Sequence, residues 1–176
     1  MQRLTSTRYR IACPNCCSLQ LHGEDLGLLS DAGCPGVADP GALLVAAAHR
    51  AGVRVVPLVG PSAVLLALMA AGMNGQQFSF HGYLPVAPAA RIKALKALDD
   101  AVARSGVTQI FIETPYRNDA LLAATLAACR TTTELCVAAD LTLPTEQVIR
   151  RPIAQWRDSA RTGVGRRPAI FLLGTI

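Results

Sequence analysis

The stretch 28–41, LLSDAGCPGVADPG, runs an apolar strand end into a turn that holds Cys-Pro-Gly, Asp-Pro-Gly and two aspartates, Asp31 and Asp39. A strand that stops at Ser30 and gives way to Asp31-Ala32-Gly33-Cys34-Pro35-Gly36 opens backbone amides and carbonyls at the carboxyl edge of a sheet, where α/β proteins hold small molecules. Glycine in such a turn lets a ligand approach the main chain closely.

Outward from this loop, strand and helix patterns alternate. Residues 25–30 read as a strand, 41–51 as a helix, 54–58 as a strand, and Gly60-Pro61-Ser62-Ala63 as a second glycine-proline turn that opens a helix over 62–71. Ser62 is placed to cap that helix. The run 78–84, FSFHGYL, alternates like a strand, and 85–88 is a proline-bounded break. Residues 91–104 carry Ile92, Leu95, Leu98 and Val102 at helical spacing, with a basic opposite face. Strands are expected at 109–113, 135–139 and 169–173, helices at 119–129 and 153–160, and a loop at 140–145. This order predicts an α/β architecture with a mixed or largely parallel sheet.

Four motifs in this order, SDAGCPGVADPG, RVVPLVGPSA, FHGYLPV and FIETPYR, resemble the tetrapyrrole methylase superfamily over residues 24–174, and within it most resemble the S-adenosylmethionine-dependent branch that methylates a ribose 2′-hydroxyl of 16S ribosomal RNA. The resemblance implies a two-lobed fold with the methyl donor in the cleft between the lobes. It divides the chain into a non-family segment (1–22), a partial N-terminal α/β lobe (23–84), a linker (85–88) and a C-terminal α/β lobe (89–176). Family members begin with a strand and a glycine-rich turn that this likeness lacks, so the N-terminal lobe is expected to be incomplete by about two βα units of ~30 residues each. Missing central strands would leave a raw sheet edge and uncovered apolar faces.

The same resemblance assigns roles. Gly33, Cys34 and Pro35 stand where the superfamily has its glycine-aspartate-proline signature, and Ser62 and Ala63 where it has a second donor-binding turn; with Asp31 and Val37 they form the expected S-adenosylmethionine site. The ribosomal RNA branch carries threonine where Cys34 stands, and cysteine is similar in size but a poorer hydrogen-bond partner. Glu113 and Arg117, in Glu113-Thr114-Pro115-Tyr116-Arg117, are the catalytic candidates. An arginine fork there can hold a phosphate or the donor's carboxylate, with Glu113 orienting it or accepting a proton. An internal Glu113–Arg117 ion pair that only shapes the loop is the competing reading, as plain turn-making is for Gly33 and Gly60. Asp140-Leu141-Thr142 resembles the family's glutamate-leucine-threonine segment, one methylene shorter at its first position. The alternatives are a porphyrin methyltransferase and a truncated, inactive binding module.

Composition narrows the classes further. The chain has 176 residues, 51% of them hydrophobic and 5% aromatic, which suits one modest domain or two small ones built on aliphatic cores. The longest apolar run, 64–71, is too short to cross a bilayer, and 1–9 lacks the apolar core of a secretory leader, so the expectation is a cytoplasmic protein with no membrane partner. Cys34, Cys129 and Cys136 sit singly in apolar surroundings and suit reduced thiols. Cys13, Cys16 and Cys17 cluster without a second ligand pair, so no metal is expected. The net charge of +5 draws on Arg150, Arg151, Arg157, Arg161, Arg166 and Arg167. Such a cluster is either a surface for a polyanion, RNA above all, or a merely solvated basic face. His81 could act as a base or could be a packed or capping histidine. The resemblance also implies a homodimer.

Overall fold

The computed structural model describes residues 25–30, 34–158 and 163–175. The N-terminal segment with Cys13, Cys16 and Cys17, the loop positions Asp31 and Gly33, and Arg161 lie outside the described residues. The chain divides into two compact units, Met1–Ser62 and Ala63–Ile176.

In the first unit one helix, α1 (Ala42–Arg50), follows the proline-glycine loop, and His49 and Arg50 in its last turn complement the negative end of the helix dipole. Gly41 precedes it with φ 149, and a Cβ there would lie 2.9 Å from Leu28 Cδ2 and 3.1 Å from Gly36 N, so only glycine fits this crossing. The strands expected at 25–30 and 54–58 do not form. A strand exists through its ladder, and among the described residues neither segment has a strand beside it. Their apolar residues are correspondingly uncovered: Leu29 is 70% exposed, Leu58 86%, and Val59 fully so.

The second unit begins with α2 (Ala63–Ala71), followed by β1 (Phe78–Tyr83), α3 (Pro88–Ser105), β2 (Thr108–Ile112), a 3₁₀ turn (Pro115–Arg117), α4 (Asn118–Ala128), β3 (Glu134–Ala139), β4 (Gln147–Pro152), α5 (Ile153–Asp158) and β5 (Ala169–Gly174). The five strands form a mixed sheet in the order β1-β2-β5-β3-β4, with β1 and β2 parallel and the other pairings antiparallel. The division between units falls at Ser62, whereas 85–88 leads from β1 into α3 inside the second unit. Arg91 fastens that passage: its Nε donates to Pro85 O and its Nη2 to Val86 O.

Side chains of the central strands alternate between two cores, as the two-residue period of a strand requires. Ile110, Cys136, Ala138, Ile170 and Leu172 meet Val64, Ala67, Leu68 and Ala71 of α2 on one face. Phe111, Leu135, Val137, Phe171 and Leu173 meet α3, α4 and α5 on the other, through Leu95, Leu98, Leu121, Leu122, Ile153 and Trp156. Gly106 closes α3 in the left-handed conformation (φ 65), donating its N–H to Val102 O.

The arginines of the C-terminal third are largely occupied within the fold. Arg150 donates from Nη1 to Ala71 O and Gly72 O at the end of α2 and from Nε to Glu134. Arg157 caps the end of α4 through Leu126 O and Cys129 O. Arg167 binds Val164 O and Gln147 Oε1, and Arg151 lies 6.0 Å from the Trp156 ring centroid. Of the five that are described, Arg166 alone is exposed with no bonding partner among the described residues. Charge counting therefore overstated the free basic surface, because helix-terminal carbonyls are themselves good partners for cations.

Cys34, Cys129 and Cys136 are free thiols. Burial pushes the Cys129 thiol up to about 12, reinforced by the charge of Asp99 and opposed by Arg157 and Arg130. Burial likewise pushes Cys136 up to about 11. Both acids are weaker folded than unfolded, so their contribution to stability is complete below the ordinary thiol value of 9.0 and is lost as pH rises through about 11 and 12. The expected result is a melting temperature that falls more steeply above pH 9 in the parent than in a Cys129→Ala/Cys136→Ala double variant. Parallel alkaline slopes would show that the two thiols do not drive the loss.

Candidate functional site

Residues 34–38 fold into a tight turn. Val37 N donates to Cys34 O at 3.1 Å, Gly36 has φ 79, and Ala38 takes a left-handed φ of 56 that a non-glycine residue rarely adopts. Cys34 Sγ lies 3.5 Å from Pro61 O and 3.7 Å from Gly60 O, so the two proline-glycine turns of the first unit meet. Val37 is half exposed, Pro35 is exposed and Ser62 is buried. A Cβ built on Gly60 would touch nothing within 4 Å, leaving open space against the junction. Ala63 starts α2 and packs on the sheet of the second unit. Small side chains, main-chain carbonyls and an open glycine fit a sulfonium nucleoside, since bulk would block approach to the reacting methyl.

In the second unit one edge of the sheet gathers the carboxyl ends of β2 and β3 and the amino ends of β4 and β5, because Ile112 pairs with Ile170 and Ala139 with both Ala169 and Gln147. Glu113 follows β2 directly and is buried. Its Oε1 accepts from Thr114 N (2.8 Å), Thr114 Oγ1 (3.2 Å), Arg117 Nε (3.1 Å) and Arg117 Nη2 (2.7 Å). Oε2 is buried and has no donor among the described residues. The two catalytic candidates are thus brought together as an ion pair that also closes the loop. That loop-shaping role, the competing reading of the motif, is present, and the spare carboxylate oxygen is not consumed by it.

Farther along the same edge, Asp140 Oδ2 accepts from Thr145 Oγ1 at 3.0 Å and Glu146 Oε2 accepts from Thr142 N at 2.7 Å. Asp140 and Thr142 both hold positive φ, 52 and 71, so this segment keeps a backbone that its side chains disfavour. On the edge strand β1, His81 Nε2 lies 2.7 Å from Gln109 Oε1, while Gln109 Nε2 donates to Val107 O. That second bond turns the amide oxygen of Gln109 toward the imidazole, so the contact is a hydrogen bond in the tautomer that has its N–H at Nε2. Among the described residues no three His, Cys, Asp or Glu gather closely enough to hold a metal ion.

Sequence reasoning quoted Tyr116 only as part of a motif. The structure leaves this ring 69% exposed, with the Arg117 guanidinium 5.3 Å from its centroid. An aromatic residue between proline and arginine just past a buried strand was the available signal.

A five-stranded mixed sheet with helices on both faces makes the second unit an α/β domain. More narrowly, the chain belongs to the tetrapyrrole (corrin/porphyrin) methylase family, which residues 17–156 match. It is 40% identical over 135 residues to the ribosomal RNA small subunit methyltransferase I of Vibrio cholerae, covering 77% of this chain and 46% of that protein. It is 38% identical over 151 residues to the enzyme of the same name from Escherichia coli O157:H7, covering 86% of this chain and 51% of that one. The chain therefore spans about half the length of these curated relatives. Its fold is similar to that of the methyltransferase CobJ, with a TM-score of 0.65 at 18% identity over 99% of this chain and 73% of that one. Among the described residues no helix is long and apolar enough to cross a membrane.

Proposed function

We propose that the chain is the donor-turn and acceptor-rim portion of an S-adenosylmethionine-dependent methyltransferase that acts on a ribose 2′-hydroxyl of small-subunit ribosomal RNA. The observation that carries this reading is the junction of the Cys34 turn with the Gly60–Pro61 carbonyls, with open space at Gly60. The names of the full-length relatives favour RNA over a tetrapyrrole as acceptor.

S-adenosylmethionine supplies the methyl group as an activated sulfonium. The residues proposed to contact the donor are Asp31, Gly33, Cys34, Pro35, Val37, Ser62 and Ala63, of which Asp31 and Gly33 lie outside the described residues. Arg117, held by Glu113, orients an RNA phosphate, and the Glu113 carboxylate is the candidate acceptor for the ribose hydroxyl proton. Alignment of the reacting atoms is the larger contribution in such a transfer, worth roughly 7–11 kcal/mol when complete. The protein is further proposed to work as a homodimer, which sedimentation analysis tests directly.

Calorimetric titration with S-adenosylmethionine or S-adenosylhomocysteine tests the donor turn. A Gly60→Val variant should melt like the parent, since a Cβ there meets nothing, yet bind the donor at least ~10-fold more weakly, a difference of about 1.4 kcal/mol. No heat from the parent at millimolar donor, or equal binding by Gly60→Val, would remove the reading.

A further inference from the structure

We infer that Tyr116, Arg117 and Arg166 form a stacking platform for single-stranded RNA at the carboxyl edge of the second unit's sheet. The inference takes its choice of nucleic acid from the RNA reading above; its geometry is independent of methyl transfer.

The platform starts with a rigid turn. Pro115 opens the 3₁₀ turn directly after β2 and Thr114, so Tyr116 is carried on backbone with little freedom. Its ring is 69% exposed although an apolar core lies one strand away, and an uncovered aromatic on an ordered turn is a surface suited to a flat partner. The guanidinium of Arg117 stands 5.3 Å from the ring centroid. This arginine does not wander: Glu113 Oε1 takes both Nε and Nη2, and Thr114 Oγ1 accepts a further bond from Nε. Nη1 is left without a partner among the described residues, so the fork presents one free edge of N–H groups beside an exposed ring.

The start of α4 holds a turn that carries a second cation, Arg166. Asn118 Nδ2 donates to Arg167 O at 2.7 Å and to Gly165 O at 3.3 Å, and Asp119 Oδ1 accepts from Gly165 N at 3.0 Å. These bonds hold the turn containing Arg166 against the two residues that follow Arg117. Arg166 is exposed and has no partner among the described residues. Two acceptors of neighbouring residues, Glu113 Oε2 and Asn118 Oδ1, are buried and have no donor among the described residues. Buried acceptors that a protein leaves unpaired are uncommon, and hydroxyl or amino groups are what they lack.

A ring that stacks, a fixed fork with an open edge and a neighbouring cation match one nucleotide step of an unpaired strand: a base on Tyr116 and phosphates on Arg117 and Arg166. Duplex RNA hides its base faces and presents only phosphate and sugar, so it can use the cations but not the ring. An acidic peptide would likewise meet the cations alone.

Fluorescence anisotropy with a short, unstructured, fluorescein-labelled RNA separates these cases. Tyr116→Ala should weaken binding of the single strand on the order of 10-fold while Tyr116→Phe stays close to the parent. Arg166→Gln should reduce the slope of log affinity against log salt by about 0.7, one phosphate contact fewer on a single strand. Binding of the matching duplex should not respond to Tyr116→Ala, and poly-glutamate should compete poorly. Trp156 emission, from the only tryptophan and a buried one, confirms that each variant is folded. Single-strand binding unchanged in Tyr116→Ala, an equal loss on duplex, or no single-strand binding by the parent at low salt would overturn the platform. Donor calorimetry is read in parallel: a parent that binds donor but not RNA sinks the platform alone, and one that binds RNA through Tyr116 but gives no heat with donor sinks the donor turn alone.

Discussion

Phe171→Ala is expected to cost the second unit ~3–5 kcal/mol, the usual range for emptying a fully buried aromatic site. Phe171 has no exposed surface and sits on β5, which is hydrogen-bonded to β2 on one side and β3 on the other. Its ring stacks on Phe111 of β2, centroids 5.8 Å apart and planes 8° from parallel, so truncation also removes an aromatic pair worth about 0.5–1.5 kcal/mol beyond area. The cavity would open where α3 and α4 press on the sheet, and secondary structure on both sides limits how far it can collapse. Against a total stability of about 5–15 kcal/mol for a domain, little margin remains. The melting midpoint followed by Trp156 emission should fall by roughly 12–30 °C. Trp156 reports on this core because it packs in the same cluster and donates Nε1–H to Leu135 O at 3.0 Å. Phe171→Leu, which keeps most of the volume, should lose far less. A fall below ~5 °C for the alanine variant would mean that the two rings do not organise this face.

The parts of the fold that could be read in advance are those where local pattern and burial coincide. Gln109–Glu113, Leu135–Ala139 and Ala169–Leu173 have apolar centres and are buried on both faces, and each became a central strand because helices cover both sides of the sheet. β4 was missed. Its residues, Gln147–Pro152, include two arginines and lie at the sheet edge, where one side of the ladder is free and polar side chains are tolerated. The opposite error occurred at 54–58, where Val55, Val56 and Leu58 have the composition of a strand. Pattern supplies a strand's side chains but not its hydrogen-bonding neighbour, and among the described residues none is there. The site divides in the same way. Glycine and proline announced both turns, whereas the Cys34 contact with the Gly60 and Pro61 carbonyls joins residues 26 and 27 positions apart, which no local signal encodes. The Glu113–Arg117 pair, four residues apart on one turn, was legible for the converse reason. The capping work of Arg150 was not, because its carbonyl partners lie 78 and 79 residues away.

Glu113→Ala should separate structure from chemistry at the rim. The carboxylate is buried and takes four bonds on one oxygen, yet its partner Arg117 is a quarter exposed and can turn to water when released. The stability cost is therefore set mainly by the Thr114 amide and hydroxyl that lose their acceptor, about 1–3 kcal/mol. The functional cost is expected to be larger. On the proposed function, a released Arg117 no longer presents a fixed fork and no carboxylate remains to accept a hydroxyl proton, so methyl transfer to small ribosomal subunits should fall at least ~100-fold, about 2.7 kcal/mol in the barrier. Arg117→Ala removes the fork but leaves the carboxylate, and Glu113→Gln keeps the side chain's size while removing its charge. If Glu113 only positions Arg117, the Glu113→Ala/Arg117→Ala double variant should be no worse than Arg117→Ala alone, since residues acting as a unit are not additive. If the spare Oε2 takes the proton, the double variant should be slower than Arg117→Ala by a further factor, and Glu113→Gln should be slow even with RNA affinity retained. Methyl transfer by Glu113→Ala within a few-fold of the parent, in protein shown to be folded by Trp156 emission, would assign the ion pair to loop shape and place the chemistry elsewhere on the rim.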